Sequence, residues 1–320
     1  MEIMETFEVI QPGPMTTVQD LGRDGYQQYG VSPSGAIDNY SFRVGNILAG
    51  NEETAASLEI TLFGCQLRVL RDTVVAITGA DLATNINGNP APMFATISIS
   101  SGDIISFTRP GSGCRAYLAV AGGIDVPIVM GSASTNIKSS MGGLGGRALR
   151  RGDLIRTKER SPTKIKARVS PEYIPVYDNA VELRVIPGPQ DDCFTEEGIH
   201  TFFHADYTVS TQADRMGYRL VGPRIQHRAK ADIISDGIPS GAVQVPGNGL
   251  PIILLADRQT TGGYTKIAIV ISADITKLAQ AKPGDSIKFR RVSEEEAIKA
   301  LSEYEEKIKA VKAELIKPGN

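Results

Sequence analysis

The chain has 320 residues, 41% of them hydrophobic, which is enough to bury at least one full core and favours two domains. Its 34 basic and 36 acidic residues leave a net charge of -2, so no chain-wide field draws it to nucleic acid or to an acidic membrane. Three cysteines, Cys65, Cys114 and Cys193, are odd in number and far apart, unlike a disulfide framework or a zinc knuckle.

The acidic start, Met1 to Glu5, does not read as a secretory signal, and no run of about 18 apolar residues reads as a membrane span, so a cytoplasmic protein is expected. A helix is expected from about Ile37 to Leu48, where Ile37, Phe42, Val44 and Leu48 offer an apolar face. Short apolar runs follow at Leu67-Val69, Val74-Ile77, Ile97-Ile99, Ile104-Phe107 and Tyr117-Val120, each bounded by turn residues. Period-two runs of this length read as strands of a barrel or sandwich. Gly-Asp precedes an apolar run at Gly102-Asp103, Gly152-Asp153 and Gly284-Asp285, and each is expected to be a turn entering a strand. From about Lys158 to Glu182 the chain becomes basic and proline-bearing, through Lys164, Lys166, Arg168, Pro171 and Pro175, which reads as a linker. The β pattern then resumes at Val181-Ile186, Ala268-Ile271 and Ile287-Val292. Ser293 and Glu296 fit a capping box opening a terminal helix, with Ala297, Leu301, Tyr304, Ile308, Val311 and Leu315 on one face. The expected division is a β-barrel domain over 1–165, a linker over 166–182, a second β-barrel domain over 183–292, and a helix and tail over 293–320.

An internal echo supports duplication. Arg23-Asp24-Gly25-Tyr26-Gln27-Gln28-Tyr29-Gly30 shares Arg, Gly, Tyr and Gly with Arg215-Met216-Gly217-Tyr218-Arg219-Leu220-Val221-Gly222. Downstream, Pro33-Ser34-Gly35-Ala36-Ile37 echoes Pro239-Ser240-Gly241-Ala242-Val243 in the same order. Glycine permits close backbone approach and arginine offers paired donors to a carboxylate or phosphate, so these loops are binding candidates as well as barrel corners. The working surface is expected where loops of the two halves meet.

Most other chemistry is poorly supported. No P-loop or dinucleotide fingerprint occurs, although Met141-Gly142-Gly143-Leu144-Gly145-Gly146-Arg147 could present backbone N–H groups to an anion or form a crowded turn. His200 and His204 share a helical face but lack the zincin glutamate, and no metal site is expected. Ser34 and Ser240 lack a nucleophile elbow, with His227 the remaining histidine. Cys193 follows Asp191-Asp192, whose charges oppose a thiolate. The densest polar cluster, Asp257-Arg258-Gln259-Thr260-Thr261-Gly262-Gly263-Tyr264, follows the apolar strand Ile252-Leu255, and Gln244 on a nearby loop could join it.

Thr17-Val18-Gln19-Asp20-Leu21-Gly22-Arg23, Gly35-Ala36-Ile37-Asp38, Asn46-Ile47-Leu48-Ala49-Gly50-Asn51, Ile77-Thr78-Gly79-Ala80-Asp81 and Leu254 to Tyr264 together resemble the biotin-dependent carboxyltransferase subunit-2 family. That family includes allophanate hydrolase subunit 2, the C subunit of 5-oxoprolinase and KipA-like proteins, and the resemblance runs from about Phe7 to Val292. It implies a mainly β fold of two cyclophilin-like β-barrel domains with few short helices and a C-terminal helix. It also implies a subunit of an ATP-dependent 5-oxoprolinase, converting 5-oxo-L-proline, ATP and water to L-glutamate together with an A-type lactam-hydrolase subunit and a B-type (KipI-like) subunit. ATP is then expected mainly outside this chain, which carries no biotin attachment site. Two alternatives stay open: a regulator that antagonises a B-like kinase inhibitor, and the carboxyltransferase component of a urea-carboxylase-like biotin system.

No residue is assigned as the catalyst. The candidate substrate-binding positions are Gln19, Asp20, Arg23, Ser34 and Asp38 in the first half. In the second they are Arg215, Ser240, Gln244, Asp257, Arg258, Gln259, Thr260, Thr261, Gly262 and Gly263. Arg23, Gln244, Arg258 and Gln259 are expected to face the oxygen of a planar amide or ureide, with Asp20, Asp38 and Asp257 orienting them.

Overall fold

A computed structural model describes residues 3–109, 111–158 and 167–316. Lys164 and Lys166, with the expected boundary between first domain and linker, lie outside the described residues. The chain divides into two compact units: Met1–Arg23, Ser34–Tyr177 and Glu306–Asn320 form the first, and Asp24–Pro33 with Asp178–Glu305 the second.

In chain order the first unit contains β1 (Ile3–Pro12), β2 (Met15–Gln19), α1 (Asn39–Leu48), β3 (Ser57–Thr61), β4 (Cys65–Val69), β5 (Thr73–Asp81), β6 (Asn85–Ile86), β7 (Asn89–Pro90), β8 (Thr96–Ile99), β9 (Ile104–Ser106), β10 (Ser112–Val120) and β11 (Leu154–Lys158). They make an open six-stranded sheet in the order β11-β1-β4-β9-β6-β7 and an open five-stranded sheet in the order β2-β3-β10-β5-β8. One core joins them: Phe7, Val9 and Leu67 from the first sheet pack with Leu58, Val75, Ile77 and Leu118 from the second. Each such side chain contributes roughly 1.5–3 kcal/mol of hydrophobic stabilisation when fully buried.

The second unit contains β12 (Ala180–Pro187), α2 (Glu196–His204), β13 (Tyr207–Val209), β14 (Gly217–Val221), β15 (Asp232–Gly237), β16 (Ala242–Gln244), β17 (Ile252–Leu254), β18 (Thr261–Tyr264), β19 (Lys266–Val270), α3 (Ile275–Gln280) and β20 (Ser286–Arg291). Seven strands close into a barrel in the order β12-β19-β16-β17-β14-β13-β20, and β15 and β18 form a separate two-stranded sheet. The closing pair is β12 with β20, which run parallel in register from Ala180 opposite Ser286 to Val185 opposite Arg291.

The fold is mainly β, but the expectation of two barrel domains is wrong: among the described residues one barrel closes, and the first unit is built of open sheets. The alternation of apolar and polar residues is the same on a barrel strand and on a sandwich strand. Closure depends on a pairing between segments about a hundred residues apart, such as β12 with β20, which no local pattern announces.

Several local expectations have clear counterparts. Asp38 caps α1 by accepting from Ser41 N (3.0 Å) and Ser41 Oγ (2.8 Å), so the helix begins at Asn39 rather than Ile37. All three Gly-Asp turns use the carboxylate on local backbone: Ser100 N donates to Asp103, Arg150 N to Asp153 and Lys282 N to Asp285, at 2.7–2.9 Å. Ser293 and Glu296 form the reciprocal cap of α4 (Glu294–Ile316), with Ser293 N donating to Glu296 Oε2 (2.7 Å) and Glu296 N to Ser293 Oγ (3.2 Å). Along α4, Ile308, Val311 and Leu315 are buried, whereas Leu301, placed on the same face from the sequence, is 42% exposed and Ala300 is buried beside Ile271 and Val292. No helix among the described residues is long and apolar enough to cross a membrane.

Candidate functional site

The barrel strands of the second unit place a row of side chains side by side. Arg219 on β14 and Gln244 on β16 both lie opposite Ile252 on β17, and Gln244 also lies opposite Lys266 on β19. A bulge skips Ile267, passing from Val243 opposite Ala268 to Gln244 opposite Lys266. Bulges of this kind re-aim a side chain at a strand end. The alternate row, Tyr218, Ile253, Val243 and Ala268, is fully buried and faces the other way, into the barrel.

Arg219, Gln244 and Ile252 line a cavity of about 300 Å³, together with Leu254, Gln259 and Tyr264. Gln244 is 3% exposed, and its Nε2 has no hydrogen-bond partner. A buried amide N–H left unpaired costs about 1–3 kcal/mol, so such a group in a native fold calls for a ligand or a water. Gly262 makes room for it: a Cβ there would lie 2.9 Å from Gln244 Nε2, 2.8 Å from Gln259 Nε2 and 2.6 Å from Ile238 Cδ1. Any side chain at that position would fill the space where the two glutamine amides converge.

The Asp257–Thr260 loop that leads into β18 is anchored from behind. Arg215 holds Asp257 through Nε to Oδ2 (2.9 Å) and Nη2 to Oδ1 (3.3 Å), both residues being buried. Arg258 donates to the carbonyls of Ile238 (2.9 Å) and Leu255 (3.1 Å), and burial pushes its guanidinium below the ordinary arginine value. Ser32 Oγ donates to the Arg258 carbonyl (2.6 Å). Thr260 precedes β18, in which Thr261 pairs with Gly237 and Gly262 with Asp236 of β15 and Gly263 falls at the irregularity before Tyr264, while Ser240 is exposed in the turn before β16. Arg258 and Asp257 therefore support the loop, and Gln244 and Gln259 face the cavity. Beside this row, Lys266 is fully buried and its Nζ pairs with Asp236 Oδ2 at 3.0 Å. That hydrogen bond, with a second from Gly237 N, holds the Asp236 carboxyl below its ordinary range.

In the first unit both oxygens of Asp20 are engaged. It accepts from Ser132 Oγ (2.6 Å), Ser134 Oγ (2.5 Å), Ala133 N (2.6 Å) and Gly22 N (2.8 Å). Arg23 Nη2 donates to the Ser134 carbonyl at 2.5 Å, and Gln19 Nε2 to Thr17 Oγ1 (3.0 Å) and the Thr135 carbonyl (3.2 Å). Ser34, buried at φ 58°, accepts from Asn136 Nδ2 (3.1 Å). A Cβ on the following Gly35 would lie 2.8 Å from the Leu21 and Gly22 backbone. Gln19, Asp20, Arg23 and Ser34 thus gather around the segment from Ser132 to Asn136. Asp38 belongs to a different group, in which Tyr117 Oη donates to Glu59 Oε2 (2.7 Å) and accepts from Asp38 N (2.9 Å). Burial, then the charges of Glu59 and Asp38, push the Tyr117 hydroxyl well above its ordinary value.

The remaining motifs settle into structural roles. The N–H groups of Met141, Gly143, Gly145 and Gly146 all donate to carbonyls, so the glycine run does not offer them as a phosphate cradle. His200 and His204 stack at 4.0 Å, and no group of three or more metal-ligating side chains occurs among the described residues. His227 Nε2 lies by the Val245 carbonyl (3.1 Å) and Thr265 Oγ1 (3.0 Å), and neither Ser34 nor Ser240 is among its partners. Burial and the Asp192 and Asp191 charges push the Cys193 thiol up. Sequence reading passed over Arg219, Lys266, Asp236, Ser132, Ser134 and Asn136 as site residues. The small polar run from Ser132 to Asn136 was the available signal for the last three. Nothing local marks Lys266, which reads as one more surface lysine.

The barrel and its glutamine-lined cavity lie within the stretch that defines the protein's class. The model of the carboxyltransferase domain, subdomain A and B, matches residues 29–291, and the chain belongs to that family. Within it, the chain is 39% identical to the C subunit of the Escherichia coli 5-oxoprolinase, over 93% of its own length and 95% of that protein's. It is 36% identical to the C subunit of the Haemophilus influenzae 5-oxoprolinase, over 91% of this chain and 93% of that one. The crystal structure of the K. lactis urea amidolyase superposes with a TM-score of 0.90 at 33% identity, covering 96% of this chain but spanning 20% of that one.

Proposed function

We propose that this chain is the C subunit of a cytoplasmic, ATP-hydrolysing 5-oxoprolinase that opens 5-oxo-L-proline to L-glutamate. The observation that carries this reading is the end-to-end similarity to two 5-oxoprolinase C subunits, at 39% and 36% identity. It acts with an A-type lactam-hydrolase subunit and a B-type, KipI-like subunit, and the isolated chain is inactive. Water adds to the lactam carbonyl, the ring C–N bond breaks, and the nitrogen leaves as the amine of glutamate. Negative charge collects on the carbonyl oxygen as water adds, and the N–H groups of Gln244 and Gln259 are the donors of this chain that meet it. Arg215, Asp257 and Arg258 hold the loop that carries Gln259, and Gly262 keeps the space above both amides open. ATP hydrolysis supplies the driving force; with the N–H groups of Met141, Gly143, Gly145 and Gly146 already bonded, no step through the nucleotide is assigned to this chain.

The test is reconstitution. The purified chain combined with its A and B partners, ATP and 5-oxo-L-proline releases glutamate, and omission of the chain abolishes release. Undiminished release without it overturns the reading. The likeness to urea amidolyase supports a second reading, a carboxyltransferase acting on a ureide with a biotin carrier supplied by another domain. Carboxylation of urea by the chain with such a carrier, without glutamate release from the mixture with both partners, selects it.

A further inference from the structure

The cavity of the second unit has a charge at one end and neutral amides at the other. Arg219 has no carboxylate within ion-pairing distance among the described residues, unlike the neighbouring Lys266, which is committed to Asp236. Asp214, the one acid among the lining residues, accepts from Met216 N (2.8 Å) and Gly217 N (3.1 Å) through Oδ1 and so caps its own turn. Arg219 and Gln244 flank Ile252 on successive strands, which sets their Cα atoms about 10 Å apart, two strand spacings. Two side chains reaching in from that separation leave room for a small ring between them. Ile252 and Leu254 supply an apolar floor for ring methylenes. A ligand matched to this arrangement is small, has a hydrogen-bond acceptor at one end, a short saturated ring, and an anionic carboxylate at the other.

We propose that Arg219 is the specificity determinant of this site, holding the carboxylate of a small lactam acid whose carbonyl oxygen lies against the Gln244 and Gln259 amides. The assignment rests on the 5-oxoprolinase reading for its substrate and adds the residue that selects the acid over the bare lactam. Guanidinium and carboxylate form charge-assisted paired hydrogen bonds that a neutral ligand end cannot replace.

The test uses the full chain reconstituted with both of its partners, with 5-oxo-L-proline and with pyrrolidone, the same ring without its carboxylate. Arg219→Gln is expected to raise KM for 5-oxo-L-proline about 10- to 100-fold with kcat little changed. Arg219→Lys recovers part of that loss, and KM for pyrrolidone is the same in all three proteins. In parallel, 5-oxo-L-proline added to the full chain shifts the side-chain amide NMR signals of Gln244 and Gln259, and Arg219→Gln weakens that response. Amide shifts that depend on Arg219 in a chain whose complex releases no glutamate would uphold the site and overturn the 5-oxoprolinase reading. Turnover with KM unchanged in Arg219→Gln, or with the amide signals unmoved, would uphold that reading and overturn the site. Neither turnover nor shifts overturns both.

Discussion

Asp20 and Gln244 are both buried polar side chains at the ends of strands, and they have opposite hydrogen-bond balances. Asp20 accepts four hydrogen bonds, three at Oδ1 from Ser132 Oγ, Ser134 Oγ and Gly22 N and one at Oδ2 from Ala133 N, so neither oxygen is left without a donor. Gln244 is equally hidden, but its Nε2 donates to nothing in the protein and opens into a cavity. A saturated carboxylate inside a fold organises its own loops, since every one of its bonds would be lost if those loops moved. An unsaturated amide carries an energetic penalty in the free protein that a ligand can relieve. Gln244 differs from the other buried groups in that its unmet donor also borders a cavity.

The contrast can be broken at either end. Asp20→Ala strips the acceptor from four donors at once and is expected to destabilise the protein by about 3 kcal/mol or more, read as a lower midpoint in denaturant unfolding. A loss below about 1 kcal/mol would show that water replaces the carboxylate and that saturation was not the point. Gln244→Leu is the opposite case. Removing an unmet donor leaves stability within about 1 kcal/mol of the parent, while kcat/KM for lactam opening falls about 100-fold if the amide meets the developing oxyanion. Equal loss of stability and activity would place Gln244 with Asp20.

The smallest effect concerns the neighbour of the cavity. The hydrogen bond from Lys266 lowers the Asp236 pKa in the folded state, so the pair's contribution is complete above the unfolded value of about 3.9 and is lost as pH falls through the lower folded value. Acid titration followed by amide exchange on the Asp232–Gly237 strand is expected to show that strand loosening below about pH 4. Asp236→Asn flattens this response, and an unchanged titration in that variant removes Asp236 as its cause.

Part of this structure is legible in the sequence. The Gly-Asp turns and the cap at Ser293 and Glu296 each depend on residues within a few positions of one another, so local chemistry announces them, whereas the second half of the polar segment Asp257–Tyr264 is strand β18 rather than loop. The internal echo was a weaker guide. Its second half holds at the backbone, since Gly35 and Gly241 both take positive φ (91° and 78°). Its first half does not: Gln27–Tyr29 is a turn of 3-10 helix, whereas the matching residues 219–221 lie in barrel strand β14.

The sequence by itself determined the β class, the turn and cap chemistry and the family, because each of these rests on residue patterns rather than on distant pairings. Tertiary structure alone decided that one unit closes into a barrel and the other stays open, because closure is a pairing of strands distant in the chain. It also decided which site candidates face the cavity. Arg258 and Gln259 are adjacent in sequence, yet Arg258 turns to the carbonyls of Ile238 and Leu255 while Gln259 lines the cavity with Gln244 and Arg219. A side chain's direction follows from strand register and the space its neighbours leave, and at Gly262 that space exists because there is no Cβ to fill it.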